Sequence, residues 1–264
     1  MLGAIIGDII GSTYEFHNTR DYNFELFPEG SSYTDDTICT IAIADSIITG
    51  IPYRENLIYW CRRYPHPMGA YGASFSRWLN SPNPMPYDSF GNGAAMRVSP
   101  CGWGFLNLFE VKENAEASAR CSHDHPEGLR GARVIAGSIN ILIKTHSLEK
   151  VIDLVRKEYG DDWEERIPQA GRWDETCMGC VPLAIHHLIH SESFEDAIRK
   201  AVSYGGDSDT MGAIVGSLAE AYFGIPEWMK EKALSYLPQE MIDVVSRFRD
   251  RFVTNRGSIY EDHR

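Results

Sequence analysis

Three glycines, Gly3, Gly7 and Gly11, recur every fourth residue through the apolar opening segment MLGAIIGDIIGS. Between them, Leu2, Ile5, Ile6, Ile9 and Ile10 follow the i, i+3, i+4, i+7, i+8 spacing of one helix face. Glycine weakens a helix, so a stripe of three points to a neighbouring helix whose backbone comes close. Helical spacing continues downstream. Candidate helices cover 37–48, a region beginning at 115–119, 130–143, 148–159, 177–190, 194–202 and 209–223, the last stopped by Gly224-Ile225-Pro226. One or two more are expected within 231–252. Alternating strands joined by hairpin turns are not found. The expected fold class is therefore all-α, an orthogonal multi-helix bundle. It is read as a single domain over 1–264, with 255–264 a frayed polar tail.

Residues 62–104 are rich in proline, glycine and aromatics, and read as an irregular stretch too long for a connector, hence a candidate binding loop. The opening apolar run is short, lacks a basic start and is interrupted by Asp8, which fits neither a signal peptide nor a membrane span. With 25 basic against 37 acidic residues the net charge is −12, and the basic residues do not cluster. That excludes non-specific binding to nucleic acid or to an anionic membrane, both of which need a basic footprint. Six dispersed cysteines do not form the dense framework of a small secreted domain, so a cytoplasmic protein is expected.

Two acidic motifs stand at predicted helix starts, Thr34-Asp35-Asp36-Thr37 and Asp207-Ser208-Asp209-Thr210. Asp and Thr at such positions cap free backbone N–H groups. A cap needs one oxygen, however, and adjacent carboxylates repel unless something positive lies between them. Two motifs brought together would offer four carboxylates and threonine hydroxyls, the oxygen donors that Mg²⁺ or Mn²⁺ prefers, enough for two ions.

The segments GAIIGDIIGSTYE (3–15), YTDDT (33–37), GNGAAMR (91–97), SHDHPEG (122–128) and YGGDSDTMGAIVG (204–216) resemble, in content and order, the motifs of the ADP-ribosylglycohydrolase family. The resemblance implies an all-α fold with two Mg²⁺ or Mn²⁺ ions at the base of an ADP-ribose cleft. Carried onto this chain, the metal ligands are Thr34, Asp35, Asp36, Asp207, Asp209 and Thr210, and the catalytic carboxylates are Glu15 and Asp36. The loop Ser89, Phe90, Gly91, Asn92 and Gly93 is assigned to ADP-ribose, with Phe90 near the adenine. Glycines before a helix start let backbone N–H groups approach a diphosphate. Tyr71 and Gly72 resemble a looser cleft segment, in which Ala70 stands where some relatives have glycine, and His123 matches a histidine facing the distal ribose or diphosphate.

The implied activity is hydrolysis of the N- or O-glycosidic bond of an ADP-ribosylated protein side chain, small molecule or nucleic-acid end, with ADP-ribose as product. The stretch GSTYEFHNT looks more like the serine-directed members; the acceptor stays open. Readings from other classes are a catalytically silent ADP-ribose binder or structural homologue, and a toxin-immunity protein that binds an ADP-ribosyltransferase. Intact acidic motifs weigh against a silent protein.

Cys177 and Cys180 have C-x-x-C spacing, but His186, His187 and His190 lie farther along the same predicted helix and cannot close on one ion with them. The pair is read as packing. The six tryptophans are read as core and rim, and no G-x-S-x-G elbow supports a serine nucleophile.

Overall fold

A computed structural model of the chain describes residues 1–254; the expected frayed tail at 255–264 lies outside the described residues. The helices are α1 (Leu2–Gly11), α2 (Asp35–Thr49), α3 (Tyr53–Arg63), α4 (Ala73–Asn80), α5 (Gly93–Met96), α6 (Ser99–Gly104), α7 (Leu108–Arg120), α8 (Pro126–Thr145), α9 (Leu148–Tyr159), α10 (Cys177–Ile189), α11 (Phe194–Tyr204), α12 (Ser208–Phe223), α13 (Glu227–Leu234) and α14 (Gln239–Arg249). Short 3₁₀ and π turns occupy Trp163–Arg166 and Asp250–Thr254. Among the described residues no strand forms, only isolated bridges between Thr34 and Met68 and between Gly91 and Thr176. The fold is all-α, as the apolar spacing predicts. No helix among the described residues is long and apolar enough to cross a membrane.

The glycine stripe finds its partner at the far end of the chain, in α12. A Cβ on Gly7 would lie 1.8 Å from the Gly212 carbonyl oxygen, and one on Gly216 would lie 2.1 Å from the Gly3 oxygen. The two backbones therefore touch, glycine to glycine. Every residue of α1 is buried. Three glycines cost a helix about 1 kcal/mol each, while burying Leu2 and four isoleucines contributes about 1.5–3 kcal/mol apiece. Burial wins. The Met1 amino group and the Gly3 N–H both meet the Glu220 carboxylate, which fixes the axial register of the pair.

Around this pair, α8 packs on α7, α6 and α12, while α2 packs on α3, α14 and α1. Helix ends follow local chemistry. Thr34, Asn107, Ser147, Thr176 and Ser193 each accept a bond from a first-turn N–H, and Gly50 ends α2 with φ +78°. The expected range 148–159 matches α9 at both ends, whereas the helix sensed at 115–119 starts earlier, at Leu108.

The stretch 62–104 is not irregular as expected: it holds the end of α3 and all of α4, α5 and α6. Of these, α3 and α4 are short and mostly polar, burying a few anchors such as Leu57, Trp60, Phe75 and Trp78, while α5 and α6 are buried but only four and six residues long. One apolar turn in eight to eleven residues is too little for a periodic signal. Tertiary packing holds them instead.

Candidate functional site

The site begins with Asp8, which the sequence presents only as an interruption of an apolar run. Its side chain is fully buried. Four groups donate to it: the N–H and hydroxyl of Thr34, at 3.0 and 2.7 Å, and the N–H and hydroxyl of Thr37. Asp8 thus clamps the start of α2 onto α1. The Thr34 hydroxyl also accepts from the Asp36 N–H at 3.2 Å, so the capping role weighed for this motif is real for Thr34. Asp207 stands at the cap position of α12 but makes no cap bond. Its carboxylate accepts from the Asn92 amide at 2.6 Å instead.

The close approach of α1 and α12 brings the two acidic motifs together. Oxygens of Asp8, Asp36 and Asp209 lie within 4.8 Å of one another, and so do oxygens of Glu15, Asp207 and Asp209. Asp209 belongs to both groups. The Thr210 hydroxyl donates to Asp36 Oδ2 at 3.2 Å, tying α12 to α2. One oxygen each of Asp36, Asp209 and Glu15 is buried without a partner. A bare carboxylate oxygen in a dry site costs several kcal/mol unless a cation or proton meets it.

The acidities record that frustration. Burial, then the charges of Asp207 and Asp8, pushes Glu15 up to about 7. Burial pushes Asp8 up to about 6 against the pull of its four donors. Asp36 and Asp209 sit well above the usual carboxylate range, first from burial and then from their carboxylate neighbours. Asp35, partly exposed, is raised too, first by burial and then by Cys39, Asp8 and Asp207. The five carboxylates of these two groups can hold divalent cations through hard oxygen donors, three of them with an uncompensated oxygen, whereas Asp35 lines the cleft but belongs to neither group.

Above the carboxylates lies a cleft of about 450 Å³. Glu15, Asp35, Asp36, Asp207, Asp209 and Thr210 line its floor, and Tyr71, Gly72, Ser89, Gly91, Asn92, Gly93 and His123 line its walls. The sequence-predicted residues therefore converge, with two exceptions. Thr34 is buried behind the floor, and Phe90, 43% exposed, turns to the His125 ring rather than into the cleft. The loop at 91–93 is built differently from a simple ring of free amides. The Gly91 N–H donates to Ser89 Oγ at 3.2 Å and the Asn92 N–H to the Glu175 carbonyl at 2.7 Å. Both are consumed internally, as the loop docks on the segment before α10.

Sequence reasoning missed several wall residues. Phe16 and Trp173 stack at 5.9 Å on the rim, and the Trp173 indole donates to Glu175 at 2.6 Å. Arg97 also faces the cleft, although fully buried. For Asp8 the signal was present: a lone charge inside a helix whose every neighbour is apolar or glycine. The C-x-x-C pair packs as read. Cys177 Sγ bonds the Gly91 carbonyl at 3.2 Å, Cys180 Sγ bonds the Asp174 carbonyl at 3.1 Å, and burial pushes the Cys177 thiol up to about 12.

Comparison with known proteins agrees with this geometry. The ADP-ribosyl-[dinitrogen reductase] glycohydrolase of Rhodospirillum rubrum is 24% identical over 86% of this chain and 85% of its own length. ADP-ribosylhydrolase ARH3 of Mus musculus is 24% identical over 86% and 83%. ADP-ribosylarginine hydrolase Tri1 of Serratia proteamaculans is 24% identical over 92% and 75%. A solved structure described as an ADP-ribosylglycohydrolase-related protein complex superposes with a TM-score of 0.72 at 24% identity, covering 94% of this chain and 95% of that one, which shows a shared fold. The ADP-ribosylglycohydrolase family model matches residues 1–258. An all-α frame that brings both acidic motifs to the floor of one cleft, matched by that model along nearly its whole length, makes this chain a member of the ADP-ribosylglycohydrolase family.

Proposed function

We propose that this chain is a hydrolase that cleaves the N- or O-glycosidic bond joining ADP-ribose to an acceptor, using two divalent cations, Mg²⁺ or Mn²⁺. The observation that carries this reading is the pair of buried carboxylate groups sharing Asp209 at the base of the cleft, with oxygens left unpartnered. The donor set fits hard cations: carboxylates, with threonine hydroxyls beside them and no soft ligand among them. Asp35, Asp36, Asp207 and Asp209 would hold the ions, with Thr34 and Thr210 supporting through their hydroxyls. When bound, such cations supply Lewis-acid polarisation and charge compensation at the distal ribose.

The protein's own groups do the rest. Glu15 is half-buried, lines the cleft and keeps one unpartnered oxygen. Raised toward neutrality, it is suited to take a proton from the attacking water and pass it to the leaving group. Asp36 is less free for that work, because it is more deeply buried and Thr210 donates to its Oδ2. Asn92 holds Asp207 in place, and Gly93 with His123 forms the wall that receives the diphosphate. Six free thiols, one of them the partly exposed Cys121, favour a reducing compartment, so cytoplasmic action as a single domain completes the proposal.

Relatives of similar identity carry names with different acceptors, so the acceptor needs an assay. The protein is incubated with Mg²⁺ and with arginine-, serine-, acetyl- and nucleic-acid-linked ADP-ribose, with and without chelator. Chelator-sensitive release of ADP-ribose from at least one substrate is expected. Binding of ADP-ribose without release from any would favour a silent binder, and no binding at all would end the reading.

A further inference from the structure

Arg97 is the largest side chain with no exposure to solvent, and among the described residues no carboxylate pairs with it. An arginine stays charged even there. Its Nη2 donates to the Ser118 carbonyl at 3.1 Å, the Ala119 carbonyl at 3.4 Å and Ser122 Oγ at 2.8 Å. The Phe75 ring lies 5.8 Å from Cζ, a cation–π distance. Nε and Nη1 have no partner. A buried positive charge with two unpartnered nitrogens thus lines the same cleft as the carboxylates.

Ser122 connects that charge to His123. Its Oγ, fully buried, lies 2.8 Å from His123 Nδ1 as well as 2.8 Å from Arg97 Nη2. A serine hydroxyl carries one hydrogen. Arg97 can only donate, so Oγ accepts there, and His123 Nδ1 is the remaining partner for the hydroxyl hydrogen. Were Nδ1 protonated, it would donate to Oγ and leave that hydrogen with no acceptor in a closed pocket, at a cost of about 1–3 kcal/mol. Burial and the Arg97 charge also hold the imidazole well below its ordinary pKa, so the ring is neutral. Its single N–H is then on Nε2. That nitrogen looks onto the glycine loop: a Cβ on Gly93 would sit 2.9 Å from it and one on Gly91 3.5 Å. Glycine at 93 leaves Nε2 open toward the cleft.

We propose that Arg97 and Ser122 are positioning residues that fix His123 as the Nε2–H tautomer, a permanent donor aimed at an anionic oxygen of the ligand, on the present reading a diphosphate oxygen of ADP-ribose. The opposite tautomer would present a lone pair to that oxygen and repel it. The cleft is thereby polarised, with a cation-seeking floor and a phosphate-seeking wall.

Long-range ¹⁵N–¹H correlation spectra of the full-length protein, assigned with His123→Gln, read the tautomer without any ligand. Wild type is expected to show protonated Nε2 and bare Nδ1. Ser122→Ala should populate the Nδ1–H form and weaken ADP-ribose binding by about tenfold, the scale of one hydrogen bond to a charged group. Ser122→Thr, which keeps the hydroxyl, should restore both. A thermal melt confirms that each variant is folded. Nδ1–H in wild type, or a folded Ser122→Ala protein with unchanged tautomer or unchanged affinity, overturns the proposal. If the wild-type tautomer is as expected but ADP-ribose does not bind, the positioning by Arg97 and Ser122 stands, while the functional reading and the ligand named here fail.

Discussion

At the scale of single residues, the carboxylates divide by what already satisfies them. Asp8 has four donors and acts as a clamp; Asp36, Asp209 and Glu15 each keep a bare oxygen. Glu15→Gln preserves shape but cannot take a proton. It is expected to slow single-turnover release by about 10²–10⁴-fold while ADP-ribose affinity, measured by calorimetry, stays near wild type. Turnover within a few-fold of wild type would transfer the base role to Asp36. Asp209 is shared by both carboxylate groups, so Asp209→Asn should weaken Mn²⁺ binding and release together. Cys177→Ser with Cys180→Ser serves as contrast: these thiols bond backbone carbonyls, and their replacement should leave turnover little changed. A dead but folded double cysteine variant would contradict the assignment of chemistry to the carboxylates.

At the scale of elements, the α1–α12 contact is what builds the site. Asp8 and Asp209 sit on the two helices, and their separation is set by how closely Gly7 and Gly212 meet. Gly7→Ala would drive a methyl to 1.8 Å from the Gly212 oxygen, which no rotamer relieves. The helices must part, at about 1–3 kcal/mol or more, and release should fall with stability. Gly72→Ala is the matched control, since a Cβ there meets nothing within 4 Å and its φ of −51° suits alanine. Urea melts of the two variants should differ clearly. Equal midpoints would show that the glycine stripe is not what sets the helix separation.

For the molecule as a whole, the floor couples stability to cations and to pH. A carboxylate whose pKa is raised in the folded state binds more protons there than when unfolded. Its stabilising contribution is full below the ordinary value near 4 and is lost as pH rises through the folded value. For Asp8 and Glu15 that window runs from about 4 to about 6 and 7. Chelated protein should therefore lose stability across this range. Mg²⁺, binding the ionised form, should raise the melting temperature more at pH 8 than at pH 5. A pH-independent increment, or none after verified metal removal, would argue against ions on this floor.

Much of this was legible in residues alone, because it is local. Helix period, caps and the glycine stripe each depend on neighbours within a few positions, and α9 and α12 were located nearly to the residue on that basis. The acidic motifs were visible as excess carboxylate beyond what a cap needs. Helices α3 and α4 were not visible, because one buried turn on a polar surface leaves no period to detect. Nor could residue patterns say which helix the glycine stripe would meet, since close approach requires a partner but does not name it. In the sequence Asp8 only interrupts an apolar run, yet Thr34 and Thr37 bond to it, and nothing in the sequence links Arg97 to Ser122 and His123. Both depend on packing between segments distant in the chain. Such contacts follow from how whole faces bury against one another, which no stretch of a dozen residues encodes.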